Sequence, residues 1–279
     1  MIYIRPLLFS FLITILGLTP AWAEEGAAPD DERLPLSQEE RRQRVLQTTL
    51  AGVGVVTVWG VLQWDYFSRQ PHAQSEGWFG SDTDHGGADK LGHMYSTYVF
   101  SHGLAALYKH WGFATEDAAF YGAFSSFAIM GYMELGDAFS DYGFSYEDML
   151  ANTAGALLGY ALYKHADVAD KIDFRWEYGF KPNTTDIITD YENSKFLLAL
   201  KLNGFDWARE TPWRHVEFHL GYYTRGYDDQ EPDRERKIYV GIGLNLTDLF
   251  SRHGWKKTGT LLRYVQVPYT SINADHHFD

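Results

Sequence analysis

The sequence predicts an α+β protein: an N-terminal helical bundle of about four apolar helices, membrane-embedded or membrane-apposed, followed by a C-terminal antiparallel β-sheet. Three observations predict it. Apolar runs of helical length fill residues 45–165, the hydrophobic period changes from helical to two-residue after Lys164, and acids with an asparagine interrupt the otherwise apolar stretch Tyr132 to Leu162. A chain of 279 residues is long enough for one or two such domains.

The elements follow in order. Residues 1–23 carry the marks of a signal peptide: one charge at Arg5, an apolar core from Leu7 to Leu18, and Ala21-Trp22-Ala23 as a cleavage signal before Glu24. An uncleaved anchor helix is the alternative, disfavoured because the apolar run is short and ends in Thr19-Pro20. Residues 24–44 are charged and lack apolar periodicity, as in a flexible leader. Val45 to Trp64 holds no charge over about twenty residues, enough to span a bilayer or to serve as a buried helix. Trp64 and Tyr66 at its end suit an interface.

Ser68 to Ala88 is a predicted loop with Pro71 and a Gly86-Gly87 pair. Helices are predicted over Lys90 to Tyr108, Asp117 to Leu135 and Tyr146 to Lys164, with Thr115 as the N-cap of the second. Ser145-Tyr146-Glu147-Asp148 has the form of a capping box. Asn152, Gly155 and Gly159 share a stripe of that last helix, and Gly155-x-x-x-Gly159 lets another helix come close.

The candidate site residues lie on these helices. Asp89 and His93 are four apart, Glu134 and Asp137 three apart, Asp148 and Asn152 four apart, so each pair shares a helix face. With short loops and antiparallel neighbours, Asp89, His93, Glu134, Asp148 and Asn152 are expected at one end of the bundle. Asp82, Asp84, His85, Asp89 and His93 have ligand chemistry for a divalent cation, but their spacing matches no metal motif and no cofactor is predicted.

Asp89-Lys90-x-x-His93, then Glu134 late in a helix, then Ser145-x-x-Asp148-x-x-x-Asn152-x-x-Gly155 resembles the pattern of VanZ-like proteins. Over roughly Trp78 to Tyr163 it is more similar to the YfiM-like family of predicted periplasmic lipoproteins. The resemblance implies an exported cell-envelope protein, of the periplasm or outer membrane. It implies little about activity. Two departures stand out: the sequence has no Cys to carry a lipid, and Asp137 and Asp141 stand where VanZ-like proteins tend to have Gln and Arg.

After Lys164, Val216-Phe218-Leu220-Tyr222 and Ile238-Val240-Ile242-Leu244-Leu246 alternate with polar or Gly positions, as in strands with one buried face. Phe174 to Phe180, Phe196 to Phe205 and Leu261 to Val267 are weaker strands, and Asp228 to Arg236 is a charged hairpin loop. Residues 170–279 then form an open antiparallel sheet of about five strands, too few for a closed barrel, although the Gly-Tyr alternation resembles outer-membrane strands.

Composition excludes several functions. A formal charge of −13 disfavours nucleic acid, and zero Cys excludes disulfides, thiolate catalysis and zinc-thiolate sites. Aromatics at 16%, with 19 Tyr and 9 Trp, suit a membrane interface or an aromatic-rich core. No nucleophile elbow, phosphate-binding Gly loop or His-Glu-x-x-His motif occurs. The expected function is that of a non-catalytic structural or scaffold protein of the envelope, its buried polar residues fixing helix register. The alternative is a protein that binds or hydrolyses a membrane lipid or lipid-linked cell-wall precursor. There His93 and Glu134 would be acid and base, Lys90 would hold an anionic headgroup, Asn152 would orient a carboxylate, and Asp89, Asp137 and Asp148 would complete the site.

Overall fold

The computed structural model describes residues 36–180, 187, 189–227 and 234–278. The signal segment, most of the leader and residues 228–233 of the hairpin loop lie outside the described residues. The described residues divide into two compact units: a helical one formed by residues 36–77 and 96–164, and a β-rich one formed by residues 78–95 and those described from 165 to 278.

In the helical unit, α1 (Gln38–Gln63) starts inside the segment expected to be a leader. The cause is a capping box: the Glu40 amide donates to Ser37 Oγ at 3.2 Å and the Ser37 amide donates to Glu40 Oε2 at 2.8 Å. Two polar turns therefore precede the apolar run. One side of α1 packs Val45, Val53 and Val56 against a core of Leu104, Tyr108, Phe113 and Ile129. Thr49 Oγ1 donates to Ser125 Oγ at 2.9 Å on the same side. The other side exposes Leu46, Leu50, Val58 and Val61, and only 11% of its most apolar 18-residue window is buried.

The helix α2 (Ala88–His110) contributes its part from Ser96 onward to this unit, alongside α3 (Thr115–Asp137) and α4 (Tyr146–Lys164). Thr115 is the first helical residue rather than the N-cap. Ala114 holds the cap position without a side-chain bond, and Glu116 and Asp117 complement the helix dipole from the first turn. Glycines set the spacing of α2 from its neighbours. A Cβ at Gly122 would lie 2.7 Å from the Ser101 carbonyl oxygen and the Ala105 nitrogen, and one at Gly159 would lie 2.5 Å from Ser101 Cβ.

The β-rich unit is built on β1 (Ile172–Tyr178), β2 (Ser194–Lys201), β3 (Val216–Arg225), β4 (Glu235–Leu244), β5 (Val265–Gln266) and β6 (Ser271–Phe278), in the order β5-β1-β2-β3-β4-β6. The sheet is mixed, where a purely antiparallel one was expected, because β5 lies parallel to β1. After β4, Asn245 caps a short helix (Leu246–Arg252), so Leu246 begins a helix instead of ending a strand. That helix and a second one (Lys256–Leu261) carry the chain across to the β1 edge.

The sheet is also rolled rather than open and flat. Five strand spacings would put β5 and β6 about 24 Å apart in a flat sheet, yet the five peptide steps from Gln266 to Ser271 reach about 17 Å at most. The two edges must curl toward each other. Thr270 pins the link by accepting from Gln266 Nε2 at 2.7 Å and, through its carbonyl, from the Leu244 amide at 3.2 Å.

Burial across this sheet is inverted relative to expectation. The alternating apolar positions were expected to be the buried face, but Val240 is 58% exposed and Ile242 55%, whereas Glu217 is 0% and His219 3% exposed. The apolar face is covered where Trp78–Tyr95 packs on it. Tyr95 meets Phe174, Trp176 and Phe196 at centroid distances of 5.6, 6.3 and 5.9 Å, and Phe79 meets Tyr222 at 5.3 Å.

Candidate functional site

The predicted site residues divide between the units. Glu134, Asp137, Asp148 and Asn152 belong to the helical unit, and Asp89, Lys90 and His93 to the β-rich unit.

In the helical unit a short polar chain crosses three helices. Thr97 Oγ1 of α2 donates to Asn152 Oδ1 of α4 at 2.7 Å, and Asn152 Nδ2 donates to Glu134 Oε1 of α3 at 3.4 Å. All three side chains are buried. Ser126 Oγ adds a bond to the Thr97 carbonyl at 2.8 Å. His102 takes the role of a core histidine bonded to a carbonyl, with Nε2 3.1 Å from the Gly159 oxygen.

Asp148 stands beside this chain in the first turn of α4, its amide donating to Ser145 Oγ at 3.2 Å, so Ser145 caps the helix as expected. Glu147 accepts from Ser75 Oγ at 2.5 Å and from the Gly77 amide at 3.2 Å, anchoring the preceding loop. Burial works against the Glu147 charge, but bonds from Ser75, its own amide, Tyr146 and the Gly77 amide together outweigh it and hold its carboxyl below the usual range. Asp137 ends α3, where its carbonyl accepts from the Ser140 and Gly143 amides.

In the β-rich unit, Lys90 Nζ lies 2.6 Å from Asp89 Oδ2, both groups buried at the start of α2. The lysine expected to meet an anionic headgroup thus has an internal carboxylate beside it. His93 is half-buried one turn further along.

The largest buried charge cluster escaped sequence reasoning. Arg175 on β1 makes a two-pronged contact with Glu217 on β3 at 2.7 and 3.0 Å, and also donates to Asp173 Oδ2 at 2.9 Å and Gln266 Oε1 at 2.9 Å. Lys201 Nζ reaches Asp173 Oδ1 at 2.7 Å, and His219 Nε2 lies 2.8 Å from Glu217 Oε1. Burial opposes the Asp173 charge, but Lys201, Arg175 and Arg263 together overcome it and hold its carboxyl below the ordinary aspartate range. Burial pushes the Lys201 ammonium down against the pull of Asp173. One signal for this cluster was present: Asp173, Arg175 and Glu177 alternate with Phe174 and Trp176 along a single strand, giving it a wholly charged face.

Residues 75–164 match the family described as "Predicted periplasmic lipoprotein (DUF2279)". The matched segment holds all seven predicted site residues from Asp89 to Asn152. No curated protein and no solved structure matches the chain. By this likeness the chain is an exported, membrane-associated protein of the cell envelope.

Proposed function

We propose that this is a structural, non-catalytic envelope protein, anchored to a membrane through α1, whose buried polar bonds hold the helices in one register. The observation carrying the proposal is the Thr97–Asn152–Glu134 chain, in which each side chain is buried and bonded to a partner on another helix. In an apolar bundle such bonds penalise every helix rotation that breaks them, since an orphaned buried polar group costs about 1 to 3 kcal/mol. The exposed apolar side of α1 supports the anchor: α1 is the one helix among the described residues long and apolar enough to cross a membrane. The motif likeness to the YfiM-like and VanZ-like groups supports an envelope role and brings no reaction with it.

Replacing Asn152→Leu tests the proposal. It leaves Glu134 and Thr97 without this partner, and thermal unfolding of the purified protein in detergent should show a loss of about 1 to 3 kcal/mol. If stability is unchanged while binding of a membrane lipid or lipid-linked precursor is lost, the scaffold is wrong and the ligand-binding alternative takes its place.

A further inference from the structure

The uncovered part of the sheet's outer face has a chemistry that selects its occupant. Leu198, Leu220, Val240, Ile242, Leu244 and Ile272 stand side by side across β2, β3, β4 and β6, every one more than a third exposed. Behind them, the opposite face of the same sheet holds the Asp173–Arg175–Glu217–Lys201 cluster of β1, β2 and β3, with its charges mutually paired. The inversion is therefore built into the fold. Charges turned inward and aliphatic side chains turned outward characterise β-structure whose surroundings are hydrocarbon.

The rim of this face carries a second, independent signal. The turn from β2 to β3, the helices after β4 and the link before β6 meet at one end of the sheet, where Leu200 pairs with Phe218, Val216 with Leu244, and Gly243 with Ser271. Those segments expose Trp207, Trp213, Trp255 and Tyr269. The same end exposes Arg252, Lys256 and Lys257, with Asp206 and Glu210 confined to the β2–β3 turn, and no Asp or Glu occurs between Leu249 and Ala274. In a chain of net charge −13 this basic stretch stands out. Tryptophan and tyrosine beside lysine and arginine, fringing an aliphatic band, match the headgroup layer of an anionic bilayer.

We infer that the outer face of the sheet is a lipid-docking surface: the aliphatic band enters the acyl region of an anionic leaflet while the Trp255–Lys256–Lys257 rim lies among its phosphates. This second membrane contact is distinct from the α1 anchor proposed above, and it can fail without that anchor failing.

The absence of cysteine makes the test direct. Val240→Cys and Ile272→Cys, each as a single substitution in the full chain and checked for native circular dichroism, accept an environment-sensitive fluorophore. The labelled protein is reconstituted into phosphatidylcholine–phosphatidylglycerol vesicles carrying nitroxide on the acyl chains. Docking predicts a blue shift and loss of most of the emission at both positions. Lys256→Gln with Lys257→Gln should reduce that loss in the anionic vesicles and leave it unaltered in pure phosphatidylcholine. Unquenched labels on protein that floats with the vesicles overturn the docking surface and leave the α1 anchor standing. Protein that does not float at all overturns both. A blue shift without vesicles, together with a dimer on gel filtration, shows that a second copy covers the face, and also overturns the inference.

Discussion

Asp173 shows how a single residue ties stability to pH. It is fully buried and bonded to Arg175 and Lys201, and its folded pKa lies below the ordinary value. A depressed carboxylate pKa adds stability that is complete above the unfolded value of about 4 and is lost as pH falls through the folded one. Acid unfolding of the wild-type chain should therefore steepen below about pH 4. Asp173→Asn should be less stable at neutral pH and show a shallower acid limb, as monitored by circular dichroism across a pH series. An unaltered acid limb would mean that Asp173 does not carry this dependence. Asn152 acts at the same scale through its bonds to Thr97 and Glu134, so its replacement should lower stability at neutral pH.

Among the elements, α1 offers the sharpest test. Its two sides differ: Val45, Val53 and Val56 meet the core, while Leu46, Val55 and Val58 are exposed. In water an exposed Val55→Lys change would alter little, whereas a lysine near the middle of a membrane helix costs about 2.5 to 3.5 kcal/mol. Val55→Lys should accordingly lower the fraction of protein that stays with membranes after alkaline carbonate washing, with no change in the folding of the rest of the chain. An undiminished membrane fraction would remove α1 as the anchor. The start of this helix was hidden because Gln38 to Arg44 is polar and charged, so no apolar period marks it. Only the reciprocal Ser37–Glu40 bonds define it, and that motif was legible in Ser37-Gln-Glu-Glu40.

At the scale of the whole molecule, the β-rich unit is discontinuous in sequence. It takes in Trp78–Tyr95, which lays Tyr95 on Phe174, Trp176 and Phe196 and sets the Gly86 carbonyl to accept from the Tyr222 hydroxyl. The change of hydrophobic period at Lys164 therefore marks a change of secondary structure without marking where the unit begins. Residues 166–279 expressed alone should lack a cooperative unfolding transition, because that aromatic contact is gone and more of an already exposed apolar face is bared. Thermal melts followed by circular dichroism check this. A fragment that melts cooperatively, as sharply as the full chain, would show the earlier segment to be dispensable.

The sequence by itself determined the order of the main helices before the strands, but not the start of α1, the two short helices after β4, or β6. Apolar runs, the Ser145 cap and the Gly159 approach to Ser101 were legible because they depend on residues near in sequence or on the plain fit of small side chains. It also marked two faces on each strand, since alternation has a period of two. Which face turns inward was decided only by tertiary structure. Alternation is symmetric, and the usual preference for burying the apolar side gave the wrong answer here. The charged face can be buried only because strand register brings Asp173 and Arg175 of β1, Lys201 of β2 and Glu217 of β3 into bonding distance, and because β5, paired beside β1, adds Gln266 from the far end of the chain. Apart from Asp173–Arg175, those pairings join residues 28 to 91 positions apart, and no local pattern encodes them.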